Sequence, residues 1–76
     1  PGSGTFTIEF ELDNSRHISA LVYDLAGKPI KEIINEKISA GFHRIHFNDL
    51  RLRKGVYLVV IAIGEERYTE KIIVVN

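Results

Sequence analysis

The sequence predicts an all-β protein, an Ig-like antiparallel β-sandwich of six to seven strands, and three observations carry that expectation. Phe6, Ile8, Phe10 and Leu12 alternate with Thr7, Glu9 and Glu11, the period of two that marks a strand with one face buried and the other wet. Residues 56–63 form an unbroken apolar run of β-branched and aromatic side chains, which suits a central strand covered on both faces. Strand-like runs recur at intervals of about 8–12 residues with turn residues between them, the rhythm of a sandwich.

The first strand is the alternating run just described, and Asp13-Asn14-Ser15 ends it with turn chemistry. In the second, Ile18, Ala20 and Val22 make the buried face while Leu21 and Tyr23 point the other way. Leu25-Ala26-Gly27-Lys28 then turns the chain, with Gly27 placed to supply a positive φ and Asp24 to accept backbone N–H bonds in an Asx-type turn. A third strand is predicted over residues 29–35. Its adjacent Ile33 and Ile34 break the alternation, which a bulge or a change of sheet would explain. A helix over residues 25–36 has isoleucines at suitable spacing, but Gly27 and Pro29 oppose it. A seventh strand is admitted at residues 36–39. Ser39-Ala40-Gly41 marks a further turn, after which His43, Ile45 and Phe47 alternate with Phe42, Arg44 and His46. A loop over residues 48–54 leads to the apolar run, where Leu52 is placed to plug one end of the core. Tyr57, two residues after Gly55, is placed to tie its hydroxyl back to upstream backbone. Gly64-Glu65-Glu66 reads as a hairpin turn, and residues 68–75 as the last strand.

With 76 residues the chain holds one domain, read here as a linker or cloning remnant at residues 1–4 followed by the domain at residues 5–76. Stability of about 4–11 kcal/mol is expected for that length. Ten basic and ten acidic side chains leave no net charge, which argues against nucleic acid and anionic membrane as partners. No apolar run approaches the roughly 20 residues of a membrane-spanning helix, so direct membrane insertion is not expected. There is no cysteine, hence no disulfide framework and no thiolate metal site.

Catalytic and metal chemistry find little footing. His43 and His46, three apart on a strand, face opposite ways, and His17 is remote, so neither zinc nor another cofactor is expected. Asp13, Asp24 and Asp49 could hold calcium only if three loops met at one end. No serine lies in a nucleophile elbow, and Glu65 and Glu66 tip a solvated hairpin rather than a pocket that would separate their pKa values. Arg51, Arg53 and Lys54 form a small basic cluster on a loop. Phe42 and Tyr68 are candidate exposed aromatics, too few for a sugar platform. The last strand stands out: beyond Lys71, the residues Ile72, Ile73 and Val74 are apolar, β-branched and scarcely guarded by charge. A strand there at a sheet edge would offer free backbone groups to a partner or to a second copy.

Five segments in order resemble one known family. They are the alternating strand from Phe6 to Leu12; Val22-Tyr23-Asp24-Leu25-Ala26-Gly27-Lys28; Ser39-Ala40-Gly41-Phe42-His43; Leu52-Arg53-Lys54-Gly55-Val56-Tyr57; and Lys71-Ile72-Ile73-Val74. This order is similar to the C-terminal sorting domain, type A, of the type IX (Por) secretion system of Bacteroidetes. It also resembles the related Ig-like module of the flagellar hook-capping protein. The loop Asn48-Asp49-Leu50-Arg51 departs from relatives that carry tryptophan or a glycine-rich stretch there. The resemblance implies a non-catalytic sorting signal without cofactor, read by the outer-membrane translocon. A sortase-like peptidase then commonly removes the domain, and the cargo is released or joined to a surface lipopolysaccharide. It implies passage through the periplasm and an end at the cell surface or outside. Within it, Tyr23, Asp24, Gly27, Lys28, Gly41, Leu52, Gly55 and Tyr57 would hold the fold, and Lys71 to Val74 would present the signal. Two other readings stay open on the residues alone: a structural Ig-like spacer and a carbohydrate-binding module.

Overall fold

A computed structural model describes residues 6–47 and 51–75. Six strands run in chain order: β1 (Phe6–Leu12), β2 (Arg16–Asp24), β3 (Pro29–Ile38), β4 (Gly41–Phe47), β5 (Gly55–Ile63) and β6 (Glu66–Val74). They form two antiparallel sheets, a pair in the order β1-β4 and a four-stranded sheet in the order β3-β2-β5-β6. The all-β sandwich read from the sequence is therefore observed, with two strands over four.

The core lies where the alternating faces meet. Ile18, Ala20 and Val22 of β2 are fully buried, and the ladder sets them opposite Ile63, Ile61 and Val59 of β5. From the pair, Ile8 and Leu12 close over them, with Phe6 and Phe10 half-buried. Complete burial of a side chain such as Ile18, Val22 or Val59 stabilises the fold by about 1.5–3 kcal/mol. Along β1-β4 the rings of Phe6 and Phe47 stack with centroids 6.1 Å apart, and those of Phe10 and His43 at 5.4 Å. Leu52 is buried at the end of the core, as the sequence suggested.

The turns obey the chemistry of their residues. Asp24 Oδ1 accepts from the N–H groups of Ala26 and Lys28, both at 2.9 Å, and the Gly27 N–H donates to the Asp24 carbonyl at 3.0 Å. Gly27 sits at φ +88°, a conformation that an L side chain resists. The Tyr57 hydroxyl donates to the Arg53 carbonyl at 2.6 Å, and its ring lies 3.7 Å from where a Cβ on Gly55 would stand. The β5–β6 hairpin turns on Gly64-Glu65, with positive φ at the glycine alone, as a type II′ turn requires.

Two expectations need correction. Residues 36–38 continue β3, so among the described residues there is no separate seventh strand. Pairing with β2 skips Ile33 and Ile30, so the untidy isoleucines mark bulges and not a change of sheet. The apolar run of β5 is interior to its sheet but covered on one face only. Tyr57, Val59 and Ile61 are buried, whereas Val56, Leu58, Val60 and Ala62 remain half-exposed. A two-stranded layer covers one side of the larger sheet and leaves the other to solvent.

Candidate recognition strand

Strand β6 pairs with β5 alone and forms one edge of the four-stranded sheet. It is the least buried strand of that sheet. An edge strand presents backbone donors and acceptors that another strand can meet.

The pleat divides the four residues singled out in the sequence. Ile72 lies opposite the buried Tyr57, and Val74 lies opposite Gly55 at 3% exposure, so these two face inward and fasten the strand. Lys71 lies opposite Leu58, and Ile73 lies opposite Val56 with 63% of its surface exposed, so these two face outward. The structure thus brings Lys71 and Ile73 together on one face and sends Ile72 and Val74 to the other. The outer face carries more than the sequence reading assigned to it. Leu21, Tyr23, Leu58 and Val60 extend the patch across β2 and β5, each half-buried. Alternation in the second strand already sent Leu21 and Tyr23 to this side. The half-bare face of β5 was hidden because its run is apolar at every position.

The inner face of β6 changes character along its length. Glu66, Tyr68 and Glu70 point the same way as Ile72 and Val74 but are exposed. The Tyr68 hydroxyl donates to Glu66 Oε1 at 2.6 Å, and that bond, together with the carboxylate charge, raises the Tyr68 pKa above its ordinary value of 10.0.

The remaining candidates are scattered. His46 bonds to Thr7 Oγ1 on the outer face of the pair, while His43 faces inward and donates from Nε2 to the Ser39 carbonyl at 2.8 Å. His17 donates from Nε2 to Asn35 Oδ1 at 2.5 Å. Asp24 is engaged in its turn, and Asp49 lies outside the described residues, so the three-loop calcium reading gains nothing. Among the described residues no group of three His, Cys, Asp or Glu side chains could hold a metal ion. Phe42 is exposed on the outer side of β4 and Tyr68 on the inner face of β6, so the two aromatics share no platform. Arg51, Arg53 and Lys54 are exposed beside the buried Leu52.

Fold and edge define a class: a small β-sandwich module whose most open features are a strand edge and the sheet face beside it. Residues 1–75 match the family described as the secretion system C-terminal sorting domain, and the chain belongs to that family. The resemblance drawn from its five motifs is borne out. The chain is thus a C-terminal sorting signal of type IX secretion. It engages the type IX machinery and marks its carrier for export toward the cell surface or beyond, and its family is not known as catalytic. No curated protein and no solved structure matches the chain significantly.

Proposed function

We propose that the address is read on β6, with Lys71 and Ile73 as its side-chain letters and Ile72 and Val74 as the anchors that hold them in place. The observation that carries this reading is the edge position of β6, bonded on one side only, with an outward cation and an outward isoleucine two residues apart. Among the described residues the Lys71 ammonium has no carboxylate partner. An exposed charge of this kind steers encounter and selects partners, while a strand edge adds affinity through backbone bonds. The reader on this proposal is the outer-membrane translocon, which meets the folded domain in the periplasm and passes the cargo outward. A sortase-like peptidase then cuts ahead of β1, and the cargo is anchored to lipopolysaccharide or released.

The test is a reporter fused ahead of this chain in a host with a working type IX system. Lys71→Glu lies on an exposed position and should leave the domain folded, with circular dichroism and melting unchanged. The reporter should then accumulate in the periplasm. Normal export of a folded Lys71→Glu reporter would remove Lys71 from the signal. The mass of the exported cargo, read at its new C-terminus, checks the cut and the anchor separately.

A further inference from the structure

The two-over-four arrangement leaves an unfilled strand position in the smaller sheet. One side of β1 is paired with β4, and among the described residues no strand pairs with its other side. A groove of about 1020 Å³ runs along that free side. Its walls are the whole of β1, Ile61 and Ile63 of β5, and the inward residues Glu66, Tyr68 and Glu70 of β6. Those three side chains are exposed although they face inward, because among the described residues no strand of the smaller sheet covers them. Six carboxylates line the groove (Glu9, Glu11, Asp13, Glu65, Glu66 and Glu70) against the single guanidinium of Arg16. Glu9 is already paired with Arg44 at 2.8 Å, and of the five carboxylates that remain, Glu66 and Glu70 lie on the floor, on the inward face of β6.

A strand entering this position would pair with β1 and lay one face over the floor at a sheet-to-sheet distance of about 10 Å. Glu66 and Glu70, four residues apart on one face, are about 13 Å apart along the strand. The entering strand therefore needs cations at i and i+4 and a small side chain at i+2, above the Tyr68 ring. The chain itself carries that pattern on its own open edge. Arg67, Thr69 and Lys71 occupy alternate positions of β6, all on its outer face and all exposed. Stems of arginine and lysine are long enough to bridge two sheets while covering apolar surface.

We propose that the groove beside β1 receives the free edge of β6 from a second copy, setting Arg67 and Lys71 of the partner's strand over Glu66 and Glu70, with Thr69 above Tyr68. The contact is head-to-tail: each copy offers a groove and a strand, and the two are different surfaces. Such an interface does not close on itself at two subunits and propagates as the concentration rises. It shares the open edge of β6 and Lys71 with the sorting reading, but it concerns association of the purified domain, which is measured without export, so each can fail without the other.

The test uses charge exchange in the full chain. Glu66→Lys/Glu70→Lys reverses the groove, and Arg67→Glu/Lys71→Glu reverses the strand; all four positions are exposed, and circular dichroism checks that both variants fold. Sedimentation of the wild type should show mass growing with concentration, weakened by salt. Each variant alone should associate at least about tenfold more weakly, since like charges now oppose. Mixed, the two should assemble again, and amides of β1 in the isotope-labelled groove variant should gain protection from hydrogen exchange. Opposite net charges could draw the variants together without strand pairing, and β1 would then gain no protection, which overturns the proposal. A wild type that stays monomeric across the concentration series overturns it too. So does association that Glu66→Gln/Glu70→Gln leaves untouched, which would point to another surface or another occupant.

Discussion

Replacing Asp24 by alanine tests how much of the fold rests on one turn. A single oxygen, Oδ1, accepts from both Ala26 and Lys28 at 2.9 Å, while the main chain closes the same turn through Gly27 and Asp24. Alanine removes both side-chain bonds and leaves the main-chain ones. Hydrogen bonds to a charged group contribute about 1.5–3 kcal/mol when shielded and nearer 0.5–1.5 kcal/mol when water can replace them. Asp24 is half-buried and its turn is exposed, so the lower range applies to each bond. The expected loss is about 1–3 kcal/mol, a large part of the about 4–11 kcal/mol available to a domain of this size. At about 4–8 °C per kcal/mol, the melting temperature should fall by roughly 5–20 °C. Asp24→Asn keeps an oxygen at the same place and should lose less than half as much. Urea unfolding followed by far-ultraviolet circular dichroism measures both variants, with equal m-values as the check that the unfolded states match. An alanine variant within about 0.5 kcal/mol of wild type would refute the reasoning. So would an asparagine variant as damaged as the alanine one.

Three further outcomes follow from the same contacts. Tyr57→Phe deletes the donor to the Arg53 carbonyl and nothing else, so stability should drop by about 1 kcal/mol in the same urea assay. Val59→Ala empties space at a fully buried position opposite Val22 and should cost about 2–4 kcal/mol, enough to leave a visible unfolded fraction on heating. Tyr68 should ionise above its ordinary value of 10.0 in ultraviolet titration, and Glu66→Gln should bring it back toward that value. Because its folded pKa is the higher one, this contribution to stability is fully present below the unfolded value and is lost as the pH rises through the folded one.

Much of the fold was legible because it is local. The alternation from Phe6 to Leu12, the Asx turn at Asp24 and the back-bond of Tyr57 each depend on neighbours within a few residues, and each appears in the structure. The break at Ile33 and Ile34 was legible as an irregularity, and the ladder shows it as a bulge. The imbalance of the two sheets was not legible. Which strand pairs with which is a long-range outcome, and an apolar run such as residues 56–63 reads alike whether its second face is covered or half-bare. The division of Lys71 and Ile73 from Ile72 and Val74 follows from simple alternation. Which pair faces outward depends on the register with Tyr57, which only the ladder supplies.

The larger sheet is two hairpins joined along one seam. The β2–β3 and β5–β6 pairs are each closed by a short turn, whereas the β2–β5 seam sets Asp24 against Tyr57 across a loop of roughly thirty residues. Hairpins form in microseconds, while a non-local seam must first overcome the entropy of bringing distant segments together. The seam is therefore the non-local contact on which completion of the sheet depends, and the hairpins on either side of it are the local ones.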